Sequence, residues 1–207
     1  MGSFIFYTLI MSVVSSFLVC QTPQDALDKL MEGNKRYTQD KLLYPDLSNA
    51  RRQALTSKQQ PFAVILGCSD SRVPPELIFD QGLGDLFVVR LAGNVVTPVV
   101  FDSIEYAAKY LGASIILVLG HENCGAIKAV YDGVTLDIEA LAAQISPAIE
   151  ECKKKKAPVN ECVRANVRYI VEALQSYPAI KKLIEQKQVQ IVGAYYSLES
   201  GAVELIP

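Results

Sequence analysis

Residues 62–72 read FAVILGCSDSR, an uninterrupted apolar run of five residues that ends in glycine and polar side chains. Strands that are buried on both faces of a parallel sheet have this pattern. Residues 86–89 (LFVV) and 115–119 (IILVL) are two further runs of the same kind. Between the second and third of these runs, residues 102–111 carry apolar side chains at helical spacing, so a helix separates the two strands. This alternation predicts strand–helix–strand crossovers and a parallel sheet.

The rest of the chain extends the same architecture. A helix is predicted to open at Thr22-Pro23, because threonine caps helices and proline suits their first turn. Further elements are predicted as a short helix at 49–57, helices at 138–151 and 163–174, a strand at 188–194 and a short edge strand at 202–205. We therefore expect residues 21–207 to form a single α/β domain. Its central sheet is mostly parallel, with about four strands plus the short edge strand, and is flanked by helices.

Composition excludes several classes of protein. The 207 residues are 50% hydrophobic and 20% charged, which is enough apolar material to exclude a disordered chain. The net charge of −2 gives no support for a nucleic-acid-binding surface. Five cysteines are too few for a disulfide scaffold of this length. The chain has a single histidine, His121, so any histidine chemistry belongs to that residue.

The N-terminus carries an apolar leader. Residues 4–19 contain no charged side chain and are followed by a polar segment. The run is shorter than the roughly 18–20 apolar residues that usually span a bilayer, and it resembles the apolar part of a secretory signal. No basic residue precedes it, so a membrane or lipid anchor and a buried segment of the fold remain as alternatives. We expect residues 1–20 to be a signal peptide and the mature protein to be periplasmic or secreted; without a signal it would be cytoplasmic.

Three metal-ligating side chains follow two of the predicted strands. Cys68 comes directly after the first strand, and His121 and Cys124 follow the strand at 115–119. Sites in open α/β sheets form beyond the carboxyl ends of the strands, so two adjacent strands would bring these side chains together. Two thiolates and one imidazole suit zinc, and three protein ligands leave a position open for water or substrate. The alternative is that each is an ordinary buried cysteine or a hydrogen-bonded histidine.

Asp70 and Arg72 form a second group close to Cys68. A carboxylate beside a guanidinium can form a bidentate, charge-assisted pair, which would keep Asp70 ionised and away from the metal. Asp70 would then accept a hydrogen bond from a water molecule on zinc. If Arg72 turned away, Asp70 would instead become the fourth ligand. A third interpretation is an ion pair that only holds the loop.

Ordered motifs along most of the chain resemble the β-class carbonic anhydrases. The two signature segments are residues 68–73 (CSDSRV) and 120–126 (GHENCGA). Further matches are residues 89–94 (VRLAGN), 103–106 (SIEY) and 193–196 (GAYY), followed by Glu199-Ser-Gly201. The resemblance covers roughly residues 23–205.

The resemblance implies a fold, an activity and roles for site residues. One Zn²⁺ per chain would be held by Cys68, His121 and Cys124, and a hydroxide on zinc would attack CO2 to give bicarbonate and a proton. Asp70 and Arg72 would orient that hydroxide. The implied substrate-binding residues are Gln59, Phe87, Tyr106 and Gly125. The family also implies a homodimer or a multiple of dimers, with N-terminal helices packed on the partner subunit.

Two other functions stay open, and so does a disulfide between two further cysteines. A hydrolase of carbonyl sulfide or carbon disulfide would use the same scaffold, and a non-catalytic zinc or redox protein would keep Asp70 on the metal. Cys152 and Cys162 flank four lysines and a predicted turn at Ala157-Pro158. In an oxidising compartment they would form a disulfide, and otherwise they are two independent thiols.

Overall fold

A computed structural model describes residues 22–207, so the predicted leader at 1–20 lies outside the described residues. Five strands form one sheet in the order β2-β1-β3-β4-β5. The strands are β1 (Ala63–Gly67), β2 (Leu86–Arg90), β3 (Ile115–His121), β4 (Gln190–Tyr196) and β5 (Val203–Ile206). All neighbours are parallel except β4 and β5, which are antiparallel. The predicted α/β class, the mostly parallel sheet and the short edge strand are confirmed.

Helices cover both faces of the sheet. They are α1 (Pro23–Thr38), α2 (Asn49–Ala54), α3 (Pro75–Ile78), α4 (Pro98–Tyr110), α5 (Gly125–Asp132), α6 (Glu139–Lys154), α7 (Val159–Ser176) and α8 (Pro178–Glu185). One apolar layer lies between the sheet and α4, α7 and α8, and another lies under α1. A third layer, beneath α5, α6 and α7, contains Cys68 and Cys124. Within residues 22–207, no helix combines the length and apolar character needed to cross a membrane.

The register of the central strands determines where the site forms. In β1, Gly67 pairs with Leu119 of β3, so both strands end at the same edge of the sheet. Every residue of β1 and of β3 is buried, as expected for strands covered on both faces. The segments that follow β1 and β3 therefore leave the sheet side by side.

Helix α1 packs on its own sheet. Thr22 caps it: the Thr22 hydroxyl accepts from the backbone N–H of Asp25, and the Asp25 carboxylate accepts from the N–H of Thr22. Ala26 and Leu30 are fully buried in the layer below the helix. The helix continues through Gly33, although glycine is a weak helix former. The backbone oxygen of Phe79 lies so close to Gly33 that no side chain would fit.

Three short helices, α3, α5 and α8, were not predicted. Each has four to eight residues, too few for a helical apolar pattern to be clear against the buried runs beside it. Two of them, α3 and α8, begin with proline, which suits the first helical turn. Helix α5 begins at Gly125, inside the segment that sequence reasoning assigned to the site. It therefore joins the fold directly to the predicted metal ligands.

Candidate metal centre

Cys68, His121 and Cys124 lie together at the carboxyl edge of the sheet. One ligand atom from each lies within 4.8 Å of the others, and all three side chains are buried. Cys68 is the first residue after β1, His121 is the last residue of β3, and Cys124 is the N-cap residue of α5. The predicted grouping of the three residues is therefore present in the structure.

The His121 ring presents one defined nitrogen to the two sulfur atoms. Nδ1 lies 2.9 Å from the backbone oxygen of Glu122. A carbonyl oxygen only accepts, so Nδ1 carries the proton and Nε2 has a free lone pair. Among the described residues, Nε2 is one of few buried side-chain polar atoms without a hydrogen-bond partner. A metal ion between Nε2 and the two sulfurs would satisfy it, and the donor set fits zinc.

Cys68 and Cys124 shift each other's pKa in opposite directions. Hydrogen bonding from Cys124 lowers the pKa of Cys68, and the same contact, together with burial, raises the pKa of Cys124. Cys68 is thus the more readily ionised of the two thiols. Binding of a divalent ion would require both as thiolates, because cysteine ligates metals in that form.

Gly93 and Arg90 hold Cys68 in place, and sequence reasoning gave neither of them a role of its own. The N–H of Gly93 donates to Cys68 Sγ at 3.3 Å. Arg90 donates to the backbone oxygens of Cys68 at 2.8 Å and of Asp70 at 2.6 Å. Both residues belong to the VRLAGN segment that carried part of the resemblance. Their roles depend on how β2 lies beside β1, which a local pattern does not reveal.

Asp70 is paired with Arg72 rather than drawn toward the sulfurs. Arg72 Nε lies 2.9 Å from Asp70 Oδ1, and Arg72 Nη2 lies 2.7 Å from Oδ2. This bidentate contact holds the pKa of the Asp70 carboxyl far below its usual range. Asp70 Oδ2 lies 3.9 Å from His121 Nε2. An ionised carboxylate is therefore positioned beside the metal ligands while remaining bound to Arg72.

Glu122 anchors the loop between the two ligands on β3 and α5. One of its carboxylate oxygens, Oε2, accepts from the hydroxyl of Ser197 at 3.2 Å and from the N–H of Leu198 at 2.9 Å. The backbone N–H of Glu122 donates to Tyr196 at the end of β4. Because the Glu122 carbonyl is the acceptor for His121, this anchor also orients the imidazole. Sequence reasoning missed this role, since the contacts join residues 75 and 76 positions apart.

The four predicted substrate-binding residues do not lie together in the structure. Gly125 begins α5, directly after Cys124, and the space where a side chain would stand is open. Phe87 packs against the layer under α4, and its ring centroid lies 6.4 Å from that of Tyr106, which is on α4 and 47% exposed. Gln59 is exposed and precedes β1, whereas Cys68 follows it. A single chain thus brings only Gly125 next to the metal ligands.

Cys152 and Cys162 are free thiols in the structure. Cys152, on α6, packs against Cys162, which is buried on α7. Burial, reinforced by Cys152, raises the pKa of Cys162 to about 12. The two thiols are neighbours without a bond, so the disulfide stays a prediction.

The fold and the ligand set together define a class of protein. It is a metalloenzyme built on a parallel α/β sheet, with a buried Cys2His centre and an Arg-held carboxylate beside it. The family model described as carbonic anhydrase matches residues 63–203. The chain belongs to the β-class carbonic anhydrase family, and it is a lyase of that family.

Individual relatives agree with this assignment. The carbonic anhydrase of Mycolicibacterium smegmatis is 39% identical over 191 residues, covering 88% of this chain and 93% of that protein. The carbonic anhydrase of Pseudomonas aeruginosa is 33% identical over 192 residues, covering 86% of each chain. Among solved structures, the β-carbonic anhydrase CcaA has a TM-score of 0.70 at 26% identity, covering 87% of this chain and 95% of that one. The Coccomyxa β-carbonic anhydrase in complex with acetazolamide has a TM-score of 0.68 at 25% identity, covering 87% and 86%.

Proposed function

We propose that this protein catalyses the reversible hydration of CO2 to bicarbonate and a proton, with one Zn²⁺ per chain held by Cys68, His121 and Cys124. The observation that carries the proposal is the Asp70 carboxylate. Its Oδ2 lies 3.9 Å from the unpartnered Nε2 of His121, and Arg72 Nε and Nη2 each donate to one of its two oxygens. A purely structural zinc site is usually closed by four protein ligands, and here the fourth candidate is engaged elsewhere.

The residues divide the chemistry between them. Zinc, when bound, supplies a nucleophile at neutral pH by lowering the pKa of a water molecule to about 7. The Asp70 carboxylate, placed beside the ligands, would accept a hydrogen bond from that nucleophile and orient it. Arg72 keeps Asp70 ionised and fixes the direction of its carboxylate. The N–H of Gly125, at the start of α5, is free to donate to the bicarbonate anion, since helix N-termini favour negative charge.

Proton export must use groups other than histidine. The chain has one histidine, and the proposed site engages both of its ring nitrogens. Tyrosine, carboxylate, water chains or buffer would carry the proton to bulk solvent. The rate at saturating CO2 is therefore expected to rise with buffer concentration.

A second subunit would complete the substrate pocket. Gln59, Phe87 and Tyr106 are not gathered at the metal ligands of their own chain, although the resemblance assigns them to substrate. On α4, next to the edge strand β2, Val99 is 73% exposed and Tyr110 is 67% exposed. Exposed apolar side chains of this kind mark an interaction surface. A homodimer, or a multiple of dimers, that covers α4 would bury this surface.

The central test compares two cysteine variants. Cys124→Ser is expected to abolish zinc binding and CO2 hydration, because it replaces a thiolate ligand with a weak hydroxyl donor. Cys152→Ser is the matched control, since Cys152 is a thiol outside the metal group. Zinc content is measured by elemental analysis and hydration by stopped-flow pH change. Normal hydration in Cys124→Ser would refute the proposal.

Substrate assays separate this reaction from its alternatives. Hydration of CO2 and hydrolysis of carbonyl sulfide and carbon disulfide are measured on one preparation. A much larger kcat/KM for a sulfur compound would mean that this compound, and not CO2, is the substrate. Absence of all three activities in a fully zinc-loaded protein would instead favour the non-catalytic interpretation.

The apolar leader supports a location outside the cytoplasm. Residues 4–19 carry no charge, as in the apolar part of a secretory signal, and a signal would be removed on export. The intact mass of the protein from its native host tests this proposal. A mature chain that lacks roughly the first 20 residues supports export, and a full-length chain contradicts cleavage.

A further inference from the structure

Helix α7 carries a buried amide that faces the metal centre. Asn166 is 1% exposed, and its Nδ2 donates to the backbone oxygen of Gly93 at 3.0 Å. Gly93 accepts with a carbonyl, so the amide must act as the donor at this contact. The two residues lie 73 positions apart, and Asn166 is outside every motif that identified the site.

Gly93 links Asn166 to a metal ligand. Its own N–H donates to Cys68 Sγ. Gly93 has φ +67, in the left-handed region, and a Cβ there would lie 2.9 Å from Ile145 Cδ1. The position therefore requires glycine, whose backbone is the most flexible of all residues. The hydrogen bond from Asn166 to the Gly93 carbonyl therefore holds the backbone of the residue whose N–H meets the Cys68 sulfur.

The same helix also contacts the loop of the second thiolate. Asn160 Oδ1, in the first turn of α7, accepts from the backbone N–H of Asn123 at 3.0 Å. Asn123 directly precedes Cys124 and has φ +52. An N–H only donates, so at this contact the amide must act as the acceptor.

We propose that α7 positions both thiolates of the metal centre, with Asn166 and Asn160 as the positioning residues. Asn166 holds the donor to Cys68, and Asn160 holds the backbone that leads into Cys124. The inference rests on the proposed zinc site and is independent of the reaction catalysed there. Removal of groups that orient metal ligands typically lowers metal affinity about 10–100-fold.

The opposite roles of the two amides give a sharp test. Replacement by aspartate retains an acceptor oxygen and removes the donor. Asn160→Asp is therefore expected to bind zinc like the wild type, whereas Asn160→Ala binds it more weakly. Asn166→Asp and Asn166→Ala are both expected to lower zinc affinity by about 10–100-fold. Affinity is measured on the full chain by competition with a chromogenic chelator.

A buried asparagine far from the metal controls for general destabilisation. Asn34, 4% exposed on α1, donates to the backbone oxygens of Ile78 and Gly201. Asn34→Ala is expected to lower stability to urea while leaving zinc affinity unchanged. In cobalt-substituted protein, the sulfur-to-cobalt charge-transfer band is expected to shift in Asn166→Ala and to stay unshifted in Asn34→Ala.

The proposal is overturned if Asn166→Ala binds zinc as tightly as the wild type while losing stability as Asn34→Ala does. If Asn166→Ala does not fold, the two Asn160 variants provide the test. Equal zinc affinity in Asn160→Ala and Asn160→Asp would then overturn the proposal. Neither measurement uses CO2. Failure of the hydration assay would therefore contradict the proposed function without affecting this result.

Discussion

At the scale of the residue, His121 shows how one side chain connects the composition to the site. It is the only histidine, and Nδ1–H is directed to the Glu122 carbonyl while Nε2 faces the two sulfurs. The count of one histidine limited the possible chemistry from the start. The hydrogen bond adds what the count does not contain, namely which nitrogen is free to bind a metal.

Tyr195 gives a prediction about alkaline pH. Burial raises its pKa from 10.0 to about 12. The folded state therefore favours the neutral phenol, which contributes stability that is fully present below about pH 10 and is lost as the pH rises toward 12. At about 1.36 kcal/mol per pKa unit, a rise of about two units corresponds to a contribution of at most about 3 kcal/mol. The free energy of unfolding of the wild type should thus fall more steeply across this range than that of Tyr195→Phe.

Urea unfolding at several pH values measures the difference. Tyr44→Phe is the control, because Tyr44 is exposed, lies outside α4, and loses the same hydroxyl. Its pH dependence should follow the wild type. Equal slopes in Tyr195→Phe and the wild type would show that the buried phenol does not contribute.

At the scale of the element, α1 and the turn after α3 approach so closely that the helix must have glycine at position 33. A Cβ on Gly33 would lie 1.8 Å from the backbone oxygen of Phe79. Alanine normally favours a helix over glycine by about 1 kcal/mol. Here the clash involves a backbone atom that has no rotamer to change, so we expect Gly33→Ala to destabilise the fold by about 1–3 kcal/mol.

Urea unfolding of Gly33→Ala and Glu32→Ala tests this contact. Glu32 is the exposed neighbour on the same helix, and its replacement should change stability by less than about 0.5 kcal/mol. A Gly33→Ala variant as stable as Glu32→Ala would mean that α1 can move away from Phe79 without cost.

Helices α6 and α7 are joined by a short loop with a cysteine on either side. Cys152 and Cys162 are neighbours, so oxidation is expected to join them and to stabilise the pair of helices by restricting the unfolded chain. Protein refolded under air is denatured without reductant, and its thiols are titrated. Two thiols fewer than in the reduced protein are expected, and Cys162→Ser should remove that difference. Full titration of every thiol would exclude the disulfide.

At the scale of the whole molecule, the exposed face of α4 predicts the assembly. The wild type is expected to have the mass of a dimer or a multiple of dimers in light scattering. Val99→Asp should shift it toward the monomer, because a charge would have to be buried in the interface. It should also lower CO2 hydration, since the substrate pocket would lose its second subunit.

Val134→Asp is the matched control for this experiment. Val134 is also exposed, at 67%, but lies in the loop between α5 and α6 rather than on α4. Its replacement should leave both the mass and the activity unchanged. A monomeric wild type with full activity would contradict the proposed two-subunit pocket.

The sequence by itself determined the strands, most of the helices and the chemistry of the ligands. Continuous apolar runs identified the buried strands, and Cys68, His121 and Cys124 follow two of them, because local burial patterns and strand ends are visible along the chain. Only the tertiary structure revealed the supports: Arg90 and Gly93 at Cys68, and the amide of Asn166. These contacts join segments that are far apart in sequence. They depend on how α7 and β2 pack beside β1 and β3, and no local pattern of residues encodes that geometry.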